Sequence, residues 1–435
     1  MILKYLNGSK KNFPNKLIKA LDLRKTQSVK DSSIVRKIIA DVKKNQDLAL
    51  IKYEKKFSKS KKIKINQIKF SKDEIKKIID KLDDKTKKSI DLAFKRIYNF
   101  HKKQKFIKYK TKDVFKNYFE YSSSPIEKVG VYVPGGTASY PSSVLMNCIP
   151  AIIAGVKEIY MTTPALNKKA NPAALYAAKK CNIKEIYKVG GAQAIAALAY
   201  GTKKIKKVNK IVGPGNKYVA LAKKEVYGDV GIDMIAGPSE VTIVADQSAK
   251  PEWISADLIA QAEHDKNSQS ILIANNQSIL KKVNYYLKYQ LKNLPKKDIA
   301  KASLKKFGYF IYCKNKKDTV KTINEIAPEH LELCIKKPEE ILKKITNSGS
   351  IFLGNYSPEA MGDYLAGPNH VLPTAGSAKF ASGLSVYDFL KRHSIIKISK
   401  SGIERLGASV INLAEYENLK GHSNSIKLRL NKRIK

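Results

Sequence analysis

Cysteine is scarce in this chain, and its four copies are far apart. They stand at Cys148, Cys181, Cys313 and Cys334 in 435 residues, and no two of them form a Cys-x-x-Cys pair. This spacing excludes the dense disulfide framework of small secreted proteins and gives no support to a cysteine zinc site. We therefore expect a reducing, cytoplasmic setting.

Long apolar runs are also lacking. No stretch approaches the roughly 18 apolar residues of a membrane-spanning helix, and the segment from Met1 to Leu6 has no sustained apolar core. We expect neither a signal peptide nor a membrane segment. With 43% hydrophobic residues the chain can still bury substantial cores, and its length indicates two or three domains.

Arginine is rare although the chain is strongly basic. The chain has 83 Lys and Arg residues and 38 Asp and Glu residues, which gives a formal net charge of +45. Only seven of the 83 basic residues are arginine. Such a charge ordinarily indicates nucleic-acid binding, but arginine is the preferred reader of phosphate and guanine, and the lysines are spread widely. Mutational bias toward AT-rich codons explains the abundant Lys, Ile and Asn better. We expect no specific nucleic-acid partner, and a lysine-rich nucleic-acid-binding protein without catalysis stays as an alternative.

The pattern of residues 1–127 predicts mainly helices. Between Ser32 and Phe57, for example, apolar residues recur at helical spacing. From residue 128 onward, short β-rich runs alternate with alanine-rich, helix-like segments, which predicts βαβ units around a parallel sheet. Asn171 suits an N-cap and Pro172 the first position of a helix through Lys180. The predicted strands of this set are 129–133, 158–161, 185–189, 210–212 and 241–245.

A second alternating set follows, so two α/β domains are more economical than one large sheet. We predict an α/β fold with two Rossmann-like, incompletely doubly wound domains with parallel sheets, plus small helical N- and C-terminal extensions. The second set has predicted helices over 252–264 and 277–291 and predicted strands at 270–274, 309–313 and 350–353.

Three predicted strands run into glycine turns. At the carboxyl ends of parallel strands, small residues let backbone N–H groups approach phosphates. The first turn lacks the Lys-Ser/Thr of a P-loop and the third lacks the last glycine of the dinucleotide fingerprint, so a tight turn alone stays an alternative at each. Clustered in one region, they predict a nucleotide site without identifying NAD. The turns are Pro-Gly-Gly at 134–136, Gly-Gly-Ala-Gln at 190–193 and Gly-Pro-Gly-Asn at 213–216.

Gln261 and His264 are three residues apart on a predicted helix. Both would project from nearly the same face, as two ligands of one metal or substrate must, although a surface helix that happens to carry Gln and His is the alternative. Farther along, Asp363 and His422 add a carboxylate and an imidazole, groups that suit Zn²⁺. His370 could equally be structural. His101 and His393 lack such surroundings.

Glu329 and His330 form an adjacent acid–base pair. Pro328 ends the helix predicted over 319–326 and can start another, which would place the pair in a first helical turn. A carboxylate beside an imidazole offers two bases of different strength for activating water and moving protons near neutral pH. A helix-capping Glu beside a partly exposed His stays as the alternative.

Taken together, these segments resemble the histidinol dehydrogenase family from about residue 128 to 430. Such long blocks in a fixed order are highly specific. The blocks are GVYVPGGT (130–137), YPSSVLM (140–146), GGAQAIAALAYG (190–201), IVGPGN (211–216), IDMIAGPSEV (232–241), DLIAQAEHD (257–265), APEHLE (327–332), GDYLAGPNHVLPT (362–374), SGLSVYDF (382–389) and GHSNS (421–425).

The resemblance implies oxidation of L-histidinol to L-histidine through an aldehyde, using two NAD⁺ in succession, as the last step of histidine biosynthesis. It implies that His330 takes the alcohol proton and that Glu329 activates the water that hydrates the aldehyde. One Zn²⁺ per subunit would anchor the substrate. The implied zinc ligands are Gln261, His264, Asp363 and His422; the NAD contacts are Tyr132, Gln193 and Asn216; the substrate contacts are Ser239, Gln261, His264, His330, Asp363, Glu417 and His422.

The resemblance also implies a domain-swapped homodimer in which the other subunit supplies Glu417 and His422. With it, we predict an N-terminal extension (1–25), a first α/β domain (26–129 plus 239–383), an NAD-binding α/β domain (130–238) and a C-terminal appendage (384–435) that is swapped in the dimer. The first 127 residues follow the family only loosely, and Asn209 stands where the family pattern leads us to expect Asp. A zinc-dependent hydrolase is the nearest enzymatic alternative, because zinc, Glu and His also describe water activation.

Overall fold

Two parallel sheets surrounded by helices form the framework of the protein. The structure is a computed structural model, and it describes residues 2–24, 29–57, 64–135, 140–164 and 170–431. The strands in this part of the chain are β1 (Lys4–Asn7), β2 (Tyr109–Lys112), β3 (Tyr118–Pro125), β4 (Lys128–Tyr132), β5 (Glu158–Thr162), β6 (Glu185–Tyr187), β7 (Lys210–Val212), β8 (Gly231–Ile232), β9 (Glu240–Ala245), β10 (Gln269–Ala274), β11 (Tyr309–Tyr312), β12 (His330–Cys334), β13 (Ser350–Leu353) and β14 (Leu390–Lys397).

The α-helices surround these sheets or extend from them. They are α1 (Phe13–Asp22), α2 (Val29–Phe57), α3 (Lys72–Ile79), α4 (Asp84–His101), α5 (Pro141–Ala154), α6 (Pro172–Lys180), α7 (Gly191–Tyr200), α8 (Lys217–Val226), α9 (Pro251–Ala262), α10 (Gln277–Gln290), α11 (Lys297–Phe307), α12 (Lys316–Ile326), α13 (Glu339–Leu342), α14 (Glu359–Tyr364), α15 (Lys400–Tyr416) and α16 (Lys420–Arg429). Among the helices described, none combines the length and apolarity that a bilayer crossing requires.

The larger sheet has six parallel strands in the order β1-β11-β10-β9-β12-β13. The chain runs outward from β9 on one side and from β12 on the other, so the strand order reverses between these two. Both are buried along their whole length, as expected of central strands in a parallel sheet. This reversal brings Glu240 and His330 to neighbouring positions at the amino ends of their strands.

The smaller parallel sheet repeats this plan with five strands in the order β6-β5-β4-β7-β8. Its order reverses between β4 and β7, the place where ligands settle in doubly wound folds. The prediction of an α/β fold with two Rossmann-like parallel sheets is confirmed. Asn171 caps α6 as predicted, because its side chain accepts hydrogen bonds from the N–H groups of Ala173 and Ala174.

The helices of the N-terminal third pack on the smaller sheet. Helix α2 lies against α7 and α8, while α3 and α4 lie against α5 and α6. Strand β1 instead pairs with β11 in the larger sheet. The predicted domain boundaries stay a prediction, but this packing associates residues 29–101 with the smaller sheet rather than with residues 239–383.

A third, antiparallel sheet was not predicted from the sequence. It has the order β14-β3-β2, and β14 pairs with β3 over all eight residues. Beyond it, α15 and α16 pack mainly on each other. The C-terminal appendage is therefore attached through a strand as well as having the helical character expected.

The prediction that Glu329 and His330 lie in the first turn of a helix is wrong. Helix α12 ends at Ile326, and Ala327 reverses the chain in a left-handed conformation with φ of 49°. Strand β12 then begins at His330, with Leu331 and Leu333 in the apolar core. Pro328 thus ends one element as predicted, but burial between β9 and β13 makes the next element a strand.

Candidate active site

The pair Glu329 and His330 is held by the backbone of one residue, Glu240, on the adjacent strand. The N–H of Glu240 donates to Oε2 of Glu329 at 2.8 Å, and its carbonyl oxygen lies 3.0 Å from Nδ1 of His330. A carbonyl oxygen only accepts, so Nδ1 carries the proton of the neutral ring and Nε2 keeps the lone pair. Nε2 is buried, with no hydrogen-bond partner among the described residues.

Burial shifts the pKa of Glu329 and the pKa of His330 in opposite directions. It raises the pKa of the Glu329 carboxyl well above the ordinary 4.5, and the nearby Glu240 carboxylate adds to the rise. It lowers the pKa of His330 below the ordinary 6.5, against the opposing charge of Asp363. A neutral imidazole and a carboxyl group of increased basicity are what general-base catalysis needs.

Glu240 is itself fixed by a buried ion pair with Arg24. The two side chains are only 2% and 5% exposed, Arg24 also donates to the carbonyl of Pro238 at 2.5 Å, and the Glu240 carboxylate accepts the N–H of Ala375 at 2.8 Å. Removing one partner of a buried pair leaves a bare charge, at a cost of about 3–5 kcal/mol. Residues far apart in sequence therefore fix the backbone that holds the pair.

A group that could hold a metal ion adjoins the pair. One ligand atom from each of His330, Glu359 and Asp363 lies within 4.8 Å of the others. Glu359 and Asp363 are four residues apart in α14 and so share a helix face. Burial raises the pKa of Glu359, as does the Asp363 carboxylate, and Oε2 of Glu359 has no hydrogen-bond partner among the described residues.

Gln261 joins this group through its amide. Its Nε2 donates to Oε1 of Glu359 at 2.7 Å, and its buried amide oxygen has no partner in the described part of the chain. The prediction that helix α9 extends through His264 is wrong, because α9 ends at Ala262. The N–H of His264 still donates to the carbonyl of Gln261 at 3.3 Å, so the exposed His264 follows in a turn.

His264 and His370 both lie near His330. Burial lowers the pKa of His330 and of His370, and electrostatic repulsion from His264 lowers each further. Nδ1 of His370 lies 3.0 Å from the backbone carbonyl of Asp363. The structure thus places two of the four predicted zinc ligands, Gln261 and Asp363, beside Glu359, while His264 lies in the turn after the helix that carries Gln261.

A cavity of about 350 Å³ opens beside His330 and His370. Its volume is within the range of small-molecule sites. Its walls include His330, Phe352, Met361 and His370. Ser239, predicted to contact substrate, is half-buried and directly precedes Glu240.

Glu417 and His422 lie elsewhere in the single chain. Glu417 follows α15, His422 lies in α16, and both are exposed. Over the described ranges, neither shares a hydrogen bond or an ion pair with Gln261, His264 or Asp363. The predicted fourth zinc ligand is therefore not brought to the others within one chain.

Two of the predicted NAD contacts meet at the turn after β6. The hydroxyl of Tyr132, at the end of β4, accepts the N–H of Gly191 at 3.1 Å, and burial raises the pKa of that hydroxyl to about 12. The amide of Gln193 donates to Glu54 at 2.8 Å. Glu54 comes from α2, in the N-terminal third of the chain.

The third predicted NAD contact, Asn216, lies at the turn after β7. Its side-chain oxygen caps α8 by accepting the N–H groups of Tyr218 and Val219 at 3.0 and 3.2 Å. Asn209 accepts the N–H of Lys128 at 3.1 Å, a role that the oxygen of an Asp could also fill. In the first glycine turn, Gly136 and the neighbouring Thr137 lie outside the described residues.

Sequence reasoning missed Arg24, Glu54, Glu240 and Glu359. The spacing of Glu359 and Asp363, four residues apart, was a signal in the sequence that could have been used. Arg24 and Glu54 offer no such signal, because only the fold brings them to the site.

Comparison with known proteins identifies the family of the chain. The chain matches the family model described as histidinol dehydrogenase over residues 22–430, which includes most of the region expected to follow the family only loosely. It is 56% identical over 433 residues to the histidinol dehydrogenase of Pelagibacter ubique, covering 99% of this chain and 100% of that one. It is 48% identical over 399 residues to that of Caldanaerobacter subterraneus subsp. tengcongensis, covering 91% of each.

A solved structure agrees as well. The crystal structure of histidinol dehydrogenase from Elizabethkingia anophelis matches with a TM-score of 0.92 at 38% identity, covering 99% of this chain and 98% of that one. With nearly the whole chain matched in sequence and in structure, this protein belongs to the histidinol dehydrogenase family.

Proposed function

We propose that this chain oxidises L-histidinol to L-histidine through histidinaldehyde, in two successive NAD-dependent steps, as the last step of histidine biosynthesis. Family membership supports the reaction. The observation that carries the proposal is the buried pair Glu329 and His330, both held by the backbone of Glu240 beside a small cavity.

The residues beside this cavity fit a zinc ion. The amide oxygen of Gln261 is a buried acceptor without a partner, and imidazole and carboxylate are ligands that zinc prefers. Gln261, His264 and Asp363 would hold the ion together with His422 of the partner subunit. When bound, it would anchor the imidazole and amino nitrogens of the substrate.

In the first oxidation, Nε2 of His330 accepts the proton of the alcohol. NAD⁺, when bound, would supply the hydride acceptor for each oxidation. The hydrogen bond from Nδ1 to the Glu240 carbonyl holds the ring in the tautomer that this requires, and the lowered pKa keeps the ring neutral near pH 7.

Glu329 activates the water that adds to the aldehyde. Its Oε2 is engaged by the Glu240 N–H, which leaves Oε1 to take a proton from water. The raised pKa of the buried carboxyl makes it a stronger base than an exposed glutamate. Addition of the resulting hydroxide to the carbonyl carbon, with return of the proton to the carbonyl oxygen, gives a hydrate, whose oxidation yields the carboxylate.

A cytoplasmic homodimer completes the proposal. In one chain the appendage exposes Leu413, Tyr416 and Leu428, with 62%, 88% and 58% of their surface accessible, together with Glu417 and His422. A second copy could cover the apolar side chains and receive the polar ones. The alternatives, a zinc-dependent hydrolase and a lysine-rich nucleic-acid-binding protein, have no observation in their favour beyond those that suggested them.

The test is a coupled assay on purified, zinc-loaded protein with histidinol and NAD⁺. We expect two NADH and one histidine for each histidinol consumed, and a loss of activity on metal chelation that added zinc restores. Absence of NADH formation by protein that demonstrably contains zinc would overturn the proposal. Hydrolysis of esters or amides without NAD⁺ would favour the hydrolase.

A further inference from the structure

We propose that Glu54 is a positioning residue for the cofactor: it turns the amide oxygen of Gln193 away from itself and toward Gly191, to accept a hydrogen bond there from a hydroxyl or amino group of the dinucleotide. The inference rests on the proposed NAD-dependent function. It also assigns a role to the lysine-rich N-terminal third, where sequence reasoning found no chemistry.

The contacts of Glu54 determine which end of the Gln193 amide faces it. Glu54 is 3% exposed, and its Oε1 accepts both the N–H of Gly190 at 3.0 Å and Nε2 of Gln193 at 2.8 Å. A carboxylate oxygen only accepts, so it must face the NH₂ group of the amide and never its oxygen. The orientation of Gln193 is thus set by a residue more than a hundred positions away.

The other end of this amide is unsatisfied. Oε1 of Gln193 is buried and has no hydrogen-bond partner among the residues described. It lies over Gly191, where an added Cβ would come within 2.9 Å of it. Glycine at 191, with φ of 66°, leaves room for the amide at the start of α7. A buried acceptor without a partner among the described residues fits a donor that a bound ligand supplies.

The turn itself is not built to hold phosphate. The N–H of Gly190 is used by Glu54 and that of Gly191 by Tyr132. The Glu54 carboxylate already provides the negative charge that the amino end of α7 favours. Phosphate oxygens would bring more acceptors and more negative charge, whereas a ribose hydroxyl or an amino group supplies the missing donor.

The test compares Glu54→Ala with Glu54→Gln by NADH fluorescence titration. We expect Glu54→Ala to raise the NADH Kd by about tenfold, and the KM for NAD⁺ with it, because the amide can then turn. Glutamine at 54 keeps an oxygen that can accept both hydrogen bonds, so it should bring the Kd back to within about threefold of wild type. If the turn held phosphate, removing the charge of Glu54 would tighten NADH binding instead.

Glu74→Ala is the matched control. Glu74, also from the N-terminal third, pairs with Lys188 in the same loop at 2.6 Å but does not touch the amide. It should leave the NADH Kd unchanged. If Glu54→Ala does not fold, Gln193→Met removes the amide oxygen, keeps the bond between Glu54 and Gly190, and should show the same tenfold loss.

The wild-type protein separates this inference from the proposed function. Failure of wild type to bind NADH or to oxidise histidinol would reject the function itself. With wild type active, three results would overturn the role of Glu54. The first is a Kd for Glu54→Ala within twofold of wild type, and the second is a Kd for Glu54→Gln as weak as that for Glu54→Ala. The third is an equal fall in zinc content and NADH affinity and rise in histidinol KM, which would show a purely structural role.

Discussion

Glu329 and His330 are neighbours whose environments act on them in opposite senses. The same burial raises the pKa of the carboxyl and lowers that of the imidazole, because it disfavours the charged form of each. One buried site therefore provides two neutral-pH bases of different kinds. That difference gives each residue a separate step to perform.

Replacing Glu329 by Gln should separate the two oxidations. Glutamine retains an acceptor for the Glu240 N–H but cannot take a proton from water, so aldehyde oxidation should fall by about 10²–10⁴-fold while alcohol oxidation falls much less. Stopped-flow measurement of NADH formation from histidinol and from histidinaldehyde reports both steps.

Glu325→Gln is the control for that change. Glu325 lies four residues earlier, in α12, and pairs at the surface with Lys379 at 3.0 Å. Both oxidations should stay near wild type in this variant. Equal losses in the two oxidations for Glu329→Gln would contradict a role in activating water.

At the residue scale, sequence reasoning recognised chemical types better than supporting contacts. Histidine occurs only six times, so a His beside a Glu or close to a Gln could be noticed without a structure. Arg24 and Glu240 are ordinary charged residues in sequence. Their importance comes from a buried ion pair across 216 positions, which no local pattern encodes.

Among the elements, helix α2 is interrupted at Gln46, where φ is 46° and ψ is −121°. Asp41, before this kink, is hydrogen-bonded to Lys52 at 2.7 Å and to Tyr53 at 2.9 Å, both after it, and also to Asn45. One carboxylate thus ties the two halves of the helix together. It also helps to fix the half that carries Glu54.

Asp41→Asn should reduce stability in a pH-dependent way. Hydrogen bonds from Lys52, Asn45 and Tyr53 lower the pKa of Asp41 from the ordinary 3.8 to about 2. A depressed carboxyl pKa contributes stability above pH 3.8, and this contribution is lost as the pH falls toward 2. Because Lys52 is exposed and solvent screens the pair, we expect a loss of about 1 kcal/mol at pH 7.

Urea unfolding from pH 7 to pH 3 measures this effect. The difference between wild type and Asp41→Asn should begin to narrow below about pH 4. Asp84→Asn, whose partner Lys87 lies one turn away and whose side chain is 85% exposed, should change stability very little. A constant difference across the range would show that charge is not the cause.

Gly213→Ala should reduce stability more than the unfavourable φ of residue 213 alone would. Gly213 and Gly228 have nearly the same φ, 111° and 110°, but an added Cβ would lie 2.1 Å from the Tyr132 carbonyl oxygen at Gly213 and near nothing within 4 Å at Gly228. Backbone strain of about 1–2 kcal/mol is common to both. Close approach should add about 1–3 kcal/mol at Gly213 alone.

Gly228→Ala is therefore the matched control. Urea unfolding should show the larger loss for Gly213→Ala, and only that variant should raise the KM for NAD⁺, because Gly213 closely approaches the backbone of Tyr132 and begins the turn that carries Asn216. Equal effects of the two changes would mean that the close approach to β4 does not matter.

At the element scale, local sequence patterns predicted individual strands and helix caps. Eight of the eleven described strands in the two parallel sheets follow from runs of apolar residues, and the cap at Asn171 follows from Asn-Pro; β1 and β8 were not predicted. The strand at His330 was read as a helix, because a proline followed by Glu is also typical of a helix start. The pairing of β14 with β3 joins residues about 270 apart in sequence, and nothing local indicates it.

Across the whole molecule, the residues proposed for catalysis and for NAD binding lie at opposite ends of the strands in the two parallel sheets. The pair Glu329 and His330 lies at the amino ends of β9 and β12, whereas the predicted NAD contacts lie at or after the carboxyl ends of β4, β6 and β7. Ligands of doubly wound sheets usually lie at carboxyl ends. Fold class alone would therefore not have located the pair.

Two variants that make little histidine should regain activity when they share a dimer. Glu329→Gln removes a residue of the chain's own site, and His422→Asn removes the residue predicted to reach the partner's site. A mixed dimer would carry one site with both changes and one intact site. The purified mixed dimer should therefore form histidine at roughly half the wild-type rate.

Co-expression with two affinity tags, followed by purification of the mixed dimer, measures this recovery. Each variant alone, purified in the same way, is the control. No recovery in a verified mixed dimer would show that Glu329 and His422 serve the same chain's site. Full activity of His422→Asn alone would show that His422 has no role.

Glu240 supports Glu329 and His330 with a peptide N–H and a peptide carbonyl, groups that every residue except proline possesses. Exchange of the side chain at 240 would leave both hydrogen bonds available, provided the strand keeps its path. The alignment of the two bases is thus encoded by main-chain conformation. Redesign of this site can vary side chains around the pair freely only while the path of β9 is preserved.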